Sequence, residues 1–194
     1  MSQQDIIKFF DGFAPQWDAD MVRDEEVIAT ILDHAGIKAG VSVLDVACGT
    51  GVLVPDYLQR GVSSVTAVDI SPKMIAYARE KFPQPNVHLL CADVETTRFD
   101  SPFDCIVVYN ALPHFFNPAN LIEKLAGDLK MGGILTVAHG MSRERLNQHH
   151  SGSASRVSVS LMDADALEVL FEPYFDVTVK LSNDRMYQVA GVKR

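Results

Sequence analysis

Three acids and two glycines carry the first chemistry in this chain. Asp45 lies in a short apolar run, Val41 to Val46, and Gly49 and Gly51 follow at once in D-V-A-C-G-T-G. A second run, Val65 to Val68, ends at Asp69, and a third, Val87 to Cys91, is followed by Asp93. Glycine has no Cβ, so a backbone at those positions can lie against a ligand. Carboxylates at the ends of successive strands offer acceptors to hydroxyl, amino or cationic groups. The glycine loop holds an acid and no Lys or Arg. An anionic pyrophosphate would want cations and free amides there, so a ligand with a cationic end fits better. The dinucleotide pattern G-x-G-x-x-G fails, because Ala47, Gly49 and Val52 stand at its three glycine positions, and the P-loop pattern is absent.

These residues need elements to hold them. Apolar runs of this length suit strands buried on both faces, each followed by a helix. Strand, glycine loop, helix, strand, acid is the nucleotide-binding half of a doubly wound α/β fold, with its ligand at the carboxyl ends of the strands. The periodicity predicts helices over 22–35 and 52–60, and a third opened by Ser71 as cap and Pro72 in its first turn. Strand four spans Phe103 to Tyr109 and strand five Ile134 to Ala138, with Gly132-Gly133 read as a tight turn before it. Phe175 to Leu181 and Met186 to Val192 are joined by a turn short enough to make an antiparallel pair.

D-V-A-C-G-T-G, then V-D-I-S, then C-A-D-V-E resembles motifs I to III of the class I S-adenosylmethionine-dependent methyltransferases, over roughly residues 20–194. The chain departs at the first motif I glycine, which is Ala47, a small change that leaves the later two in place. The resemblance implies a Rossmann-like seven-stranded, mainly parallel sheet of order 3-2-1-4-5-7-6 with strand 7 antiparallel. It implies S-adenosylmethionine as cofactor and S-adenosylhomocysteine as product. It places Asp45, Ala47, Gly49, Gly51, Asp69, Ile70, Met74, Asp93, Val94 and Asn110 at the cofactor. Asp69 would accept the ribose hydroxyls or stand as a helix N-terminal carboxylate. Asp93 would take the adenine amino group or cap a turn. Asp45 would orient the loop or reach the cofactor's ammonium group.

The acceptor side is read from two further stretches. F-D-G-F-A-P-Q-W-D resembles the lid segment of small-molecule methyltransferases, with Trp17 where the family has Tyr. Residues 1–20 are thus either a lid, bringing Phe13 and Trp17 to the substrate, or a helix packed on the sheet. Asn110 and His114 come off strand four, and His114 is either a general base or a packed histidine. Residues 139–162 look like an insertion on the substrate side. On a helix from Ser142, Arg143, Asn147 and His150 share one face. His139 ends strand five. A rim of His114, His139, His149 and His150 would bind an anionic acceptor, or a metal through His139, His149 and His150, or it is solvated and inert. No zinc spacing is present.

The 194 residues form a single domain by this reading, 47% hydrophobic and 22% charged, with net charge −8. No basic patch speaks for nucleic acid, and no apolar run reaches membrane-span length. The three cysteines, Cys48, Cys91 and Cys105, read as buried free thiols. Charges from Asp5 to Asp11 leave no signal-peptide core, so the expected place is the cytoplasm. The expected function is methyl transfer to a small-molecule acceptor by a monomer or homodimer. The alternatives are a histidine-rim reaction in the same pocket and a non-catalytic cofactor-binding domain.

Overall fold

A computed structural model describes residues 2–150 and 157–194, without the side chains of His149 and His150. The strands are β1 (Ser42–Val46), β2 (Ser64–Asp69), β3 (Val87–Cys91), β4 (Phe103–Tyr109), β5 (Leu129–His139), β6 (Phe175–Ser182) and β7 (Tyr187–Lys193). The helices are α1 (Gln3–Phe13), α2 (Trp17–Asp20), α3 (Glu25–His34), α4 (Val54–Gln59), α5 (Pro72–Lys81), α6 (Pro118–Gly127), α7 (Arg143–His150) and α8 (Ala164–Phe171). The strands form one sheet in the order β3-β2-β1-β4-β5-β7-β6. β1 to β5 run parallel, and β7 lies antiparallel between β5 and β6. This is the Rossmann-like arrangement the motif pattern predicts.

Alternation along the strands makes the two cores. Leu44, Val46, Ile106 and Val108 pack on one face with Leu121 and Leu125 of α6 and Leu167 and Phe171 of α8. Val43, Cys105 and Val107 point the other way, to Ile28 and Leu32 of α3, Tyr57 of α4 and Ile75 of α5. The period of two along a strand fixes which residue goes where, so Asp45 falls on the α4 side, beside Tyr57.

Caps set the helix starts. Asp24 accepts from Val27 N at 3.1 Å, so α3 begins at Glu25 rather than at residue 22. Ser71 accepts from Met74 N at 3.1 Å and Pro72 opens α5, as read from the sequence. α4 starts later than predicted because Gly51 holds φ +83 and the chain is still turning. Gly132-Gly133 is not a turn ahead of strand five. It lies inside β5, where pairing with β4 slips between Phe103 and Cys105 and absorbs the glycines as an irregularity. Cys91 is exposed, against expectation, because β3 is the sheet edge.

Two non-glycine residues adopt positive φ: Ala47 at 55° and Asn110 at 54°, just beyond β1 and β4. The change at the first motif I glycine is therefore not neutral. An L-residue in this left-handed region is disfavoured by roughly 1–2 kcal/mol. Glycine loses more entropy on folding, which offsets part of that gain. Ala47→Gly should stabilise the protein by about 0.5–1 kcal/mol, read from denaturant unfolding; a lower midpoint would show that the Ala47 methyl packs usefully.

Candidate functional site

The carboxyl ends of β1, β2, β3 and β4 converge on a cavity of ≈ 200 Å³. Asp45, Ala47 and Gly49 line it from the first loop, Asp69, Ile70 and Met74 from the second, Asp93 and Val94 from the third, and Asn110 and His114 from the fourth. Of the positions expected at the cofactor, Gly51 alone is not among the lining residues. A Cβ there would meet the Phe82 ring at 2.6 Å, so Gly51 serves the packing of the loop on α5's end.

Each acid is held by backbone. Asp69 is 8% exposed and accepts Gly49 N and Ser71 N, both at 2.8 Å, with one oxygen each. It thereby ties the glycine loop to the start of α5. Asp93 accepts Glu95 N on one oxygen and the Gln3 amide on the other, both at 2.9 Å. Asp45 is 2% exposed, and its Oδ2 has no hydrogen-bond partner among the described residues. Burial pushes the Asp45 carboxyl up to about 8; the nearby Tyr57 hydroxyl pulls against that, and Asp69 and Asp56 add to it. Burial also raises Asp69, against the two amides that favour its charged form. No Lys or Arg is among the residues lining the cavity, whose charged groups are Asp45, Asp69, Asp93 and Glu95.

The N-terminal segment crosses the mouth and touches every motif loop. Gln3 reaches Asp93. Asp11 accepts from Ser71 Oγ at 2.5 Å and Lys73 N at 3.2 Å. Asp18 accepts from Thr50 Oγ1 at 2.5 Å and pairs with Lys81 at 2.6 Å. Ile6, Phe10 and Trp17 turn into the cavity, while Phe13 is exposed and stacks on Phe9 instead. Gln3, Phe10, Phe115 and Phe116 were not singled out from the sequence, although the aromatic density of 9–17 and F-F after His114 was the available signal.

Of the expected histidine rim, His114 and His139 are described, and they lie apart. His114 lines the cavity edge-on to Phe10, at 4.9 Å between ring centres, and its Nδ1 lies 2.8 Å from the Val157 carbonyl. A carbonyl only accepts, so Nδ1 is the donor. His139 ends β5 as expected, but it is fully buried against Tyr187, its partner across the β5–β7 pair, and is not among the cavity's lining residues. Arg143 and Asn147 also turn away from the site. Arg143 Nε donates to Leu161 O at 2.9 Å and Asn147 Oδ1 accepts Leu161 N at 2.8 Å, so the pair holds the returning segment. The side chains of His149 and His150, offered above as rim and metal candidates, lie outside the described residues. Among the described residues no group of three or more His, Cys, Asp or Glu could hold a metal ion, and no helix is long and apolar enough to cross a membrane.

Comparison with known proteins agrees with this geometry. The profile of a methyltransferase domain matches residues 43–133. The malonyl-(acyl-carrier protein) O-methyltransferase of Acetivibrio thermocellus is 35% identical over 130 residues, 65% of this chain and 46% of that protein. The ubiquinone biosynthesis O-methyltransferase of Xylella fastidiosa is 35% identical over 104 residues, 52% of this chain and 42% of that one. The chain spans about half the length of these curated relatives. In fold it is similar to the N-methyltransferase NodS of Bradyrhizobium japonicum WM9 in complex with S-adenosyl-L-homocysteine, with TM-score 0.78 at 13% identity over 97% of this chain and 98% of that one. Its three motifs stand in order on one cavity, and the match over residues 43–133, the similar sequences and the shared fold support a class I S-adenosylmethionine-dependent methyltransferase.

The buried acids give a pH signature. Asp45 titrates near 3.8 in an exposed chain and near 8 when folded, so the folded state alone keeps its proton between those values. Stability therefore falls as pH rises through that window. Asp18, where partial burial is outweighed by Lys81 and Thr50, shifts downward and acts only at more acid pH. The melting temperature of the ligand-free protein should drop from pH 5 to pH 8 by more than that of Asp45→Asn. Parallel curves for the two proteins would show Asp45 to be ionised throughout.

Proposed function

We propose that this domain transfers a methyl group from S-adenosylmethionine to a small, uncharged acceptor. The single observation that carries this is the orphaned carboxylate oxygen of Asp45, buried in a cavity whose charged lining is wholly acidic. A buried acceptor without a partner is costly unless a ligand supplies the donor. A ligand carrying an ammonium and a sulfonium supplies positive charge there. Bound S-adenosylmethionine presents a methyl group on a good leaving group, which passes in line to a nucleophile.

The rest of the assignment follows from position. Asp69, at the end of β2, takes the ribose hydroxyls on the lone pairs its two amides leave over. Ile70 and Met74 pack on the base, Asp93 accepts the adenine amino group, and Val94 N–H meets a ring nitrogen. Gly49 leaves room for the ligand to lie against the loop. The strained Asn110, whose Oδ1 accepts Gly140 N at 2.9 Å, shapes the wall where methyl and acceptor meet. Residues 1–20 act as a lid over this one domain, excluding water while the reaction proceeds. The returning segment after residue 156, held by Arg143 and Asn147, forms the far side of the acceptor site.

Phe10, Phe115 and Phe116 support an apolar or aromatic acceptor. The absence of Lys and Arg from the described lining weighs against an anionic one, which the expected cationic fork would have favoured. His114, with Nδ1 on Val157 O and its ring at the cavity, is the side chain suited to taking the acceptor's proton. The named relatives are a malonyl-(acyl-carrier protein) O-methyltransferase and a ubiquinone biosynthesis O-methyltransferase, which fits transfer to oxygen.

Calorimetry should detect binding of both S-adenosylmethionine and S-adenosylhomocysteine; a protein that binds neither would end this reading. Asp69→Asn should weaken S-adenosylhomocysteine by roughly ten- to a hundredfold, the range of a hydrogen bond to a charged group, with melting measured alongside because Asp69 also holds two backbone amides. In a screen of neutral phenols and amines scored by S-adenosylhomocysteine release, His114→Gln should lower turnover on the accepted compound by about 10²-fold or more and leave cofactor affinity within twofold. Unchanged turnover would make His114 a packing residue.

A further inference from the structure

Asp45 Oδ2 is not the cavity's only orphan. The indole nitrogen of Trp17 is buried, lines the same cavity, and has no hydrogen-bond partner among the described residues. It sits over the glycine loop: a Cβ on Gly49 would lie 3.4 Å from Trp17 Nε1. The indole N–H is a donor and nothing else. A donor and an acceptor, both unsatisfied among the described residues and both buried at one cavity, describe the complement of a zwitterion.

Resting on the methyltransferase reading, we propose that Trp17 Nε1–H binds the α-carboxylate of the cofactor's methionyl end, opposite the ammonium held by Asp45. Elimination supports it. A carboxylate in this cavity finds no Lys or Arg among the described lining residues. Four of the loop amides are already committed: Cys48 N to Val68 O, Gly49 N to Asp69 Oδ2, and Gly51 N and Val52 N to Cys48 O. The indole is fixed where it can act. Phe10 packs edge-on against it at 5.7 Å between ring centres. The next residue, Asp18, anchors the segment to Thr50 in the glycine loop and to Lys81. Trp17 is thus a cofactor residue, rather than the acceptor residue its place in the N-terminal segment predicts, and the carboxylate becomes the group that holds this segment over the site.

The chain has one tryptophan, so its indole N–H gives a single side-chain signal in a nitrogen-15 correlation spectrum of the unmutated protein. S-adenosylmethionine should move that signal downfield and slow its exchange with solvent. Decarboxylated S-adenosylmethionine, which keeps the adenosine, sulfonium and ammonium groups, should do neither. By calorimetry Trp17→Phe should weaken S-adenosylmethionine roughly tenfold or more and the decarboxylated ligand less than twofold, a difference that isolates the carboxylate contact. Equal loss for both ligands means Trp17 only packs, and no loss for either means it faces no carboxylate; each result overturns the proposal and leaves the methyltransferase reading standing. If the variant does not fold, the spectrum decides, because equal movement by the two ligands or by neither is equally fatal. Failure of the unmutated protein to bind any of these ligands would overturn both.

Discussion

Two buried carboxyl groups with no cation beside them are the constraint around which this structure is arranged. Asp45 and Asp69 stand on adjacent strands at the carboxyl edge of the sheet; Asp69 raises the cost of ionising Asp45, and Asp11 that of ionising Asp69. A protein selected only for stability would replace them, since an unpaired buried charge is costly. Here the fold accommodates them with neutral donors: Gly49 and Ser71 amides for Asp69, and a retained proton for Asp45. That leaves attraction for a cationic ligand in reserve. A lysine supplied by the protein would have stabilised the empty site and removed its selectivity.

The same edge concentrates the backbone strain. Ala47 and Asn110 hold left-handed conformations directly past the ends of β1 and β4, the two central strands. Both residues line the cavity. Strained backbone of this kind persists where the surroundings over-determine it. For Ala47 the determinants are on both sides: β1 is paired with β2 and β4, and Cys48 N is bonded to Val68 O. For Asn110 they are its own N–H to Ala138 O and its side chain to Gly140 N. The turn geometry at the cavity is thus imposed by the sheet.

What the sequence made legible was local and ordered. Strand, loop and helix of each nucleotide-binding unit follow from period and caps, and the sheet order from the family resemblance that the three motifs carry. Acids placed at strand ends had nowhere else to go, so Asp45, Asp69 and Asp93 meet at one cavity. The acceptor side was misread because it depends on tertiary pairing. Helical spacing put Arg143 and Asn147 on one face correctly, yet what that face meets is the backbone at Leu161, a partner remote in sequence. His139 became interior because β7 continues alongside it. Gln3 on Asp93 was invisible for the same reason: nothing local links the first turn of α1 to the end of β3.

These long-range contacts make the N-terminal segment part of the cofactor site. It contributes one polar group to each motif loop: Asp18 to the glycine loop, Asp11 to the start of α5, Gln3 to Asp93. The three loops belong to three different strands, so a segment bonded to all of them is sensitive to their relative positions. Each bond is modest on its own, about 0.5–1.5 kcal/mol net, and more where a charged group takes part. Together they hold Ile6, Phe10 and Trp17 against the cavity. Gln3 bonds to Asp93, itself a residue of the cavity lining, so the first turn of α1 is tied directly to the wall of the site.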